Sequence, residues 1–298
     1  MPGATPILND SYLCTAIPVD MSMNHYLTGF KPFATMHTAH HMLLFGCYEP
    51  GSDELIWDCG EMTIAGPDFE HAPVCNNQPS IIYAWGRDAP ELYLPEGVGF
   101  KVGGNTNIQY LVLQVHYMNK LKFDYSGVSI ESTVEPLPKR ASTLLMVTGG
   151  KLAMHKKESF EAACLVDEDI ELHPFAFRTH THRHGVMVSG WVVREDQYGK
   201  NHWELIGQRN PLLPQTFQPV AKNITIRQGD IIASRCVMNN NEDKEFVMGN
   251  TGDDEMCNYY LMYWVYGDNI LRDNTCYSPG APEYHWTSEA GLNSVPQI

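Results

Sequence analysis

The sequence predicts an all-β protein built from two antiparallel β-sandwich, jelly-roll-like domains that pack side by side and are stapled by disulfides. Three observations predict this fold class. Helical periodicity is scarce along the 298 residues, and short runs of β-branched and aromatic residues recur between Gly, Pro and Asn turn signals. Eight widely spaced cysteines without a C-x-x-C pair fall into two groups of four, which indicates two disulfide-stapled halves.

Each predicted strand is a short apolar run that ends at a turn signal. The runs are, in chain order, QYLVLQVHYM, GVSIESTV, TLLMVTG, HGVMVSGWVV, HWELIG, NITIRQGDIIASRCVM and NYYLMYWVY. The segment VEPLPKRAS, from Val134 to Ser142, has two prolines and separates the two groups of cysteines. We therefore predict an N-terminal domain at 1–136 and a C-terminal domain at 139–290, with a polar tail, TSEAGLNSVPQI, that is loosely held.

Composition restricts the class of protein. A hydrophobic content of 43% is typical of a globular chain, and a net charge of −15 argues against nucleic acid as a partner. No stretch approaches the ~20 apolar residues of a membrane-spanning helix. The start, MPGATPILND, lacks the apolar core of a signal peptide, so we interpret the chain as a mature or trimmed segment. The cysteines and two sequons, at 9–11 and 223–225, favour a glycoprotein of the secretory lumen, secretory vesicles or the extracellular space.

Alternating histidines mark one predicted strand. In the stretch FRTHTHRHGVMVSG, His180, His182 and His184 occupy every second position, and Arg178 shares their register. Because residues i and i+2 of a strand point to the same face, two of these imidazoles could reach one metal ion. The competing interpretation is a polar, solvated strand face.

A second histidine pattern is harder to interpret from strand geometry. His40 and His41 are adjacent, and neighbours in a strand face opposite ways, so both could bind one ion only with local distortion or through different ring nitrogens. If all the cysteines form disulfides, histidine ligands leave zinc or copper as the metal, and a thioether ligand would favour copper. The motifs H-E-x-x-H and G-x-S-x-G are absent, which argues against the common zinc-protease and serine-hydrolase sites.

Several segments along most of the chain together resemble one known family. The segments TAHHMLLFGC, LQVHYM, FRTHTH and DDEMCNYYLMYW, together with FKPFATMHTAHHMLLFGC and LIGQRNPLLPQTFQPV, follow one another nearly end to end. On these segments the sequence resembles the copper type II, ascorbate-dependent monooxygenases, and it fits their peptide-hydroxylating group better than the dopamine-hydroxylating one. The resemblance implies two copper ions, with ascorbate as reductant and O2 as co-substrate. The implied ligands are His40, His41 and His116 for the first copper, and His180, His182 and Met256 for the second.

The resemblance also implies four disulfides, and it shows where this chain departs from the family. The implied pairs are Cys14–Cys59, Cys47–Cys75, Cys164–Cys276 and Cys236–Cys257. His184 has no counterpart among the ligands, and we interpret it as a bystander. Arg183 replaces a common histidine, and Tyr125 stands where the cysteine of a further disulfide would be expected.

A substrate site is expected beside the second copper. Met256, Asn258 and Tyr260 are spaced i, i+2 and i+4, so they would share one strand face. A guanidinium such as that of Arg178 suits a carboxylate, which it can bind through two charge-assisted hydrogen bonds. The resemblance then implies that Arg178, Asn258 and Tyr260 hold the C-terminal carboxylate of a glycine-extended peptide. His180, His182 and Met256 would carry the catalytic copper, at which the glycine α-carbon is hydroxylated.

This reaction would be the first step of peptide C-terminal amidation, and a lyase, separate or fused, would carry out the second. We expect a monomer. A dopamine- or tyramine-hydroxylating monooxygenase would use the same coppers on a small amine, and a panel of substrates separates the two. A non-catalytic secreted copper-binding protein would show no ascorbate-dependent O2 uptake. A zinc hydrolase is a third alternative, and metal analysis distinguishes it.

Overall fold

The structure, a computed structural model, describes residues 1–60, 65–86, 88–249, 251 and 253–297. Within these ranges the secondary structure consists of strands, turns and bends, and no helix is present that could cross a membrane. The prediction of an all-β, disulfide-stapled protein is confirmed. The chain divides into two compact units, which are Met1–Ser142 and Thr143–Gly249 with Asp253–Ile298. This division by packing does not test whether either unit folds alone, so the domain limits 1–136 and 139–290 remain a prediction.

The first unit contains two antiparallel sheets. Its strands are β1 Ser11–Pro18, β2 Asn24–Phe33, β3 His41–Cys47, β4 Trp57–Asp58, β5 Ser80–Gly86, β6 Leu92–Tyr93, β7 Val98–Gly103, β8 Tyr110–Tyr117 and β9 Gly127–Thr133. One sheet has the order β4-β1-β8-β3-β5. In the other, β2 pairs antiparallel with β6, β7 and β9. Aromatic side chains pack between the two sheets, where the rings of Phe30 and Tyr83 stack with centroids 4.8 Å apart.

The chain enters the second unit within β10, and this unit is also built from two main sheets. Its strands are β10 Lys139–Thr148, β11 Lys151–Leu152, β12 Lys157–Leu165, β13 Glu171–His180, β14 Gly185–Glu195, β15 Asn201–Arg209, β16 Gln218–Pro219, β17 Ile226–Arg227, β18 Ile231–Asn239, β19 Phe246–Val247, β20 Asn258–Tyr266 and β21 Thr275–Ser278. One sheet has the antiparallel order β12-β18-β14-β15. In the other, β13 pairs antiparallel with β20 and β16.

Two glycines allow the sheets of the second unit to approach closely. A Cβ added at Gly190 in β14 would overlap the ring of Tyr259, and one added at Gly207 in β15 would overlap the ring of Phe177. Phe177 and Tyr259 belong to β13 and β20 and stack on each other with centroids 5.7 Å apart. These rings fill the core on one face of β13 and β20, so the residues that alternate with them point to the opposite face.

All four disulfides lie within single units. Cys14–Cys59 and Cys47–Cys75 join parts of the first unit, and Cys164–Cys276 and Cys236–Cys257 join parts of the second. These are the pairs that the family resemblance implies. Cys257 directly precedes β20, and its bond to Cys236 in β18 links the two sheets of the second unit at that end.

The predicted continuous strand through the alternating histidines is wrong in its middle, at residues 181–184. β13 ends at His180 and β14 begins at Gly185, so His182 and His184 lie in a bend between the two strands. The physical reason is that the backbone N–H groups of residues 182–184 donate to the carboxylate of Glu255 instead of to a neighbouring strand. Strand alternation therefore does not govern where His182 and His184 point.

The expectation of a loosely held C-terminal tail is also wrong. Trp286, directly before this polar segment, is fully buried, and Leu292 within it is 4% exposed. Asn293 and Asn201 exchange two hydrogen bonds, each from a backbone N–H to a side-chain oxygen, at 2.7 and 2.9 Å. Asn293 of the tail is thus paired with the first residue of β15, which composition alone does not reveal.

Candidate active site

Three histidines of the first unit form a cluster that could hold a metal ion. The candidate ligand nitrogens of His40, His41 and His116 all lie within 4.8 Å of one another. The Nδ1 atom of His41 is 3.4 Å from Nδ1 of His40 and 3.3 Å from Nδ1 of His116. Each imidazole therefore presents the same ring nitrogen to a common point. Three neutral imidazoles around one point are a suitable ligand set for copper or zinc.

The backbone explains how adjacent histidines can share one site. His41, the first residue of β3, pairs directly with His116 of β8. His40 lies in a bend before β3, and its N–H donates to the carbonyl of His116 at 2.9 Å. Because the strand starts only at His41, the opposite-face rule does not apply to His40. The sequence left two possibilities open, a local distortion of the backbone or the use of different ring nitrogens. The structure shows the distortion, and all three histidines present Nδ1.

Two further residues hold His116 in place, and sequence reasoning missed both. Tyr12 of β1 pairs with His116, and their rings stack with centroids 4.1 Å apart and planes 7° apart. Asp10 places Oδ1 at 2.6 Å from Nε2 of His116. A carboxylate at Nε2 fixes the tautomer that carries its proton there, and this leaves the Nδ1 lone pair for a metal. A carboxylate partner is a general expectation for a ligand histidine, but no local pattern identifies Asp10.

The second candidate centre begins at the end of β13. The rings of His180 and His182 lie with centroids 5.4 Å apart, nearly perpendicular to each other. Nδ1 of His180 is 2.7 Å from the side-chain oxygen of Gln215, and Nδ1 of His182 is 2.9 Å from the carbonyl oxygen of Asp254. Both Nδ1 atoms therefore act as donors, which leaves the Nε2 lone pairs for a metal. The two centres thus present different ring nitrogens.

Met256 and Asn258 come to this centre from a distant part of the chain. Asn258, the first residue of β20, pairs with His180 of β13. Its amide nitrogen lies 3.0 Å from the sulfur of Met256 and 3.2 Å from the hydroxyl of Tyr260. The structure therefore brings the thioether, the amide and the phenol together, as their spacing predicts. If this thioether joined the two imidazoles around one ion, the donor set would suit copper, since soft sulfur favours Cu(I).

Arg178 lies in the same row of side chains. It pairs with Tyr260 across β13 and β20, and its guanidinium carbon is 5.0 Å from the centroid of the Tyr260 ring. The guanidinium donates to the backbone and side-chain oxygens of Gln215 at 3.1 and 3.0 Å. Gln215 thus contacts both Arg178 and His180, although the sequence offered no signal for it. Arg178 is only 2% exposed, so water screens its charge poorly.

Asn258 carries a buried acceptor. Its side-chain oxygen is shielded from solvent and has no hydrogen-bond partner among the residues that the structure describes. A buried amide oxygen left without a donor costs free energy, about 1–3 kcal/mol, so an unpaired one beside a candidate centre suggests that a ligand completes it.

The domain families that match this chain agree with these donor sets. A family model described as the N-terminal domain of copper type II ascorbate-dependent monooxygenases matches residues 3–124, and the corresponding C-terminal domain model matches residues 139–289. The chain belongs to the copper type II ascorbate-dependent monooxygenases. Copper and ascorbate dependence are therefore properties of its family, and both candidate centres have the donor types that copper uses.

Individual relatives of this monooxygenase are peptide-amidating enzymes. It is 40% identical over 291 residues to peptidyl-glycine alpha-amidating monooxygenase A of Xenopus laevis, covering 95% of this chain and 29% of that protein. It is 40% identical over 301 residues to peptidylglycine alpha-amidating monooxygenase of Rattus norvegicus, covering 98% of this chain and 29% of that protein. The chain thus spans less than a third of the length of these relatives.

More distant relatives fit less well. Dopamine beta-hydroxylase of Homo sapiens is 27% identical over 263 residues, covering 80% of this chain and 41% of that protein. Among solved structures, that of the infectious bursal disease virus Gx strain is similar with a TM-score of 0.28 and 11% identity, over 88% of this chain and 59% of that chain. That likeness is too low to carry an argument about this monooxygenase.

Proposed function

We propose that this monooxygenase hydroxylates the α-carbon of the C-terminal glycine of glycine-extended peptides, the first step of peptide C-terminal amidation. The observation that carries the proposal is the single row of side chains on β13 and β20. In this row a buried guanidinium and a phenol, on Arg178 and Tyr260, lie next to the pair of His180 and Asn258. A guanidinium and a hydroxyl that can bind a carboxylate thus lie directly beside the candidate copper ligand His180.

The chemistry of the row fits the end of a peptide. Arg178 can hold a carboxylate through charge-assisted hydrogen bonds, and the Tyr260 hydroxyl can donate a further one. The unpaired oxygen of Asn258 can accept the amide N–H of the terminal glycine. With both ends of the glycine held, its α-carbon would lie between them, next to the pair of His180 and Asn258. Such anchoring converts a chance encounter into an oriented one, which is a large part of a catalysed rate.

We propose two copper ions, one at each candidate centre. His40, His41 and His116 would hold the first through Nδ1, and His180, His182 and Met256 would hold the second through Nε2 and sulfur. Copper bound there would supply the one-electron and O2 chemistry that no amino-acid side chain provides. In the overall reaction, one oxygen atom of O2 enters the glycine Cα–H bond and the other leaves as water. Ascorbate supplies the two electrons, and solvent supplies two protons.

The test is incubation of a peptide ending in glycine with the copper-loaded protein, ascorbate and O2. Mass analysis should find a gain of one oxygen atom, located on the terminal glycine. The same peptide ending in glycinamide serves as the control, because it lacks the carboxylate that Arg178 would bind. Equal oxygenation of both peptides, or none of either by protein with both coppers loaded, would contradict the proposal.

Hydroxylation of a small amine such as dopamine is the main alternative activity. A buried guanidinium disfavours a cationic substrate, since like charges repel most strongly where water does not screen them. A substrate panel that includes dopamine and tyramine separates the two activities. A non-catalytic copper-binding protein would retain the ligands but show no ascorbate-dependent O2 uptake.

The compartment in which the protein acts is a further part of the proposal. Four disulfides are typical of proteins from oxidising compartments, which supports the secretory lumen, secretory vesicles or the extracellular space. Asn9 and Asn223 of the two sequons are exposed, as glycan attachment requires. We further propose that a lyase, on a separate or fused chain, cleaves the hydroxylated product. The monooxygenase itself acts as a monomer.

A further inference from the structure

Glu255 is a fully buried carboxylate that lies between two segments carrying candidate copper ligands. Its side chain has no exposed surface. Its Oε1 atom accepts the backbone N–H of His182 at 2.6 Å and that of Met256 at 2.9 Å. One oxygen atom thus ties together the backbones of two ligand residues that are more than seventy positions apart in the sequence.

The other oxygen of Glu255 is held by the bend between β13 and β14. Oε2 accepts the backbone N–H groups of Arg183 and His184 at 3.1 and 2.8 Å, and it lies 2.8 Å from Nδ1 of His184. His184 in turn has Nε2 at 3.1 Å from Oε1 of Glu242. A buried carboxylate is tolerated only when donors satisfy it, and here four backbone groups and one imidazole do so.

The same contacts define what His184 does. Both of its ring nitrogens lie within hydrogen-bonding distance of carboxylate oxygens, those of Glu255 and Glu242, so neither is directed at a metal. Its side chain is 6% exposed, and its ring packs 4.4 Å from that of Phe246. His184 is therefore neither a third imidazole ligand nor a surface residue.

We propose that Glu255 is a positioning residue that holds His182 and Met256 at the distance one copper ion requires, and that His184 holds Glu255. This inference rests on the ligand assignment in the proposed function. Asp254, next to Glu255, accepts the Nδ1–H of His182, so the same short segment fixes both the backbone and the ring of that ligand. A shift of Glu255 would move both ligands relative to His180, and metal centres tolerate only small displacements of their ligands.

The variants are chosen to separate positioning from folding. Glu255→Gln replaces one carboxylate oxygen by an NH2 group, which then meets backbone donors instead of accepting from them. His184→Leu removes the imidazole but keeps an apolar contact with Phe246. His184→Asn is the matched rescue variant, because its Nδ2 can donate to Glu255 from nearly the position of the imidazole Nδ1. The three-histidine centre of the same chain serves as the internal reference.

Two measurements on the fully loaded protein decide the question. X-ray absorption of the Cu(I) form reports the sulfur ligand, and competition with a Cu(I) chelator gives the affinity of each centre. For Glu255→Gln and His184→Leu we expect the sulfur contribution to fall and the affinity of the His-His-Met centre to drop about 10- to 100-fold, the usual effect of losing an outer-shell partner. The three-histidine centre should stay within about twofold, and His184→Asn should recover most of the loss.

Each other outcome has a definite meaning. If wild-type protein shows no sulfur contribution, the ligand assignment itself is wrong. If wild type shows it and Glu255→Gln and His184→Leu both retain it with unchanged affinity, the positioning role is overturned while the proposed function stands. If Glu255→Gln does not fold, the two His184 variants decide, and equal behaviour of His184→Leu and His184→Asn overturns the inference. A merely structural role would lower the melting temperature of the variants but leave the copper–sulfur contribution in place.

Discussion

The carboxylate-binding role of Arg178 makes the most quantitative prediction. Replacing Arg178 by Ala removes two charge-assisted hydrogen bonds to the terminal carboxylate, each worth about 1.5–3 kcal/mol. The side chain is 2% exposed, so solvent screening reduces these values little. The loss of about 3–6 kcal/mol corresponds to a fall in kcat/KM of about 10²- to 10⁴-fold, at 1.4 kcal/mol per factor of ten. We expect this fall to come chiefly from a higher KM.

The assay compares two substrates rather than two enzymes. Ascorbate-dependent oxygenation is measured for one peptide ending in glycine and for the same peptide ending in glycinamide, and the ratio of their kcat/KM values is taken. Removing Arg178 also disturbs Gln215, which contacts His180, so absolute rates will fall for indirect reasons. The ratio cancels effects common to both substrates and isolates the contact with the carboxylate. Arg178→Lys should give an intermediate ratio, because it keeps the charge but loses the fork-shaped donor geometry.

One result would refute this reasoning. If Arg178→Ala lowers kcat/KM equally for the glycine and glycinamide peptides, their ratio stays as in wild type. The guanidinium then does not bind the carboxylate. The row on β13 and β20 would then have a structural role.

Three further predictions concern the ligands and the packing. Met256→Ile should leave the circular dichroism spectrum intact but abolish O2 uptake, and normal turnover with both coppers loaded would remove Met256 from the ligand set. Asp10→Ala should weaken copper binding at the three-histidine centre about 10- to 100-fold in a chelator competition, because it frees the tautomer of His116, and an equal loss at the other centre would contradict this. Trp286→Ala should lower the free energy of unfolding by about 3–5 kcal/mol, measured with denaturant, because the indole is fully buried. Tyr198→Ala, at a residue that is 85% exposed, is its control and should change stability by less than about 0.5 kcal/mol.

Strand alternation correctly predicted which candidate side chains share a strand face where the chain is a strand. Arg178 and His180 share a face of β13, and Asn258 and Tyr260 share a face of β20, in direct register with them. The alternation fails after His180, because Glu255 draws the backbone into a bend. The partners in this contact are 71 to 73 residues apart in sequence, so no local pattern could have revealed it.

The three-histidine centre also depends on contacts between residues that are far apart in the sequence. The spacing of His40 and His41 left two geometries open, and the choice depends on a backbone hydrogen bond from His40 to His116. The partner of His116, Asp10, lies 106 residues away in sequence. The all-β class could be predicted because it depends on short-range composition and turn signals. The supporting contacts could not, because they depend on which strands become neighbours.

One disulfide lies next to a candidate metal ligand in the sequence and is nevertheless closed to thiol reductants. Thiol–disulfide exchange and reduction require access to the sulfur atoms. Cys236 and Cys257 are 0% and 1% exposed, although Cys257 directly follows the candidate ligand Met256 in the sequence. The chain thus places the thioether of one residue at a candidate metal centre and the disulfide sulfur of the next where a thiol cannot reach it. The crosslink that anchors the start of β20 is therefore shielded from thiol–disulfide exchange while the fold is intact.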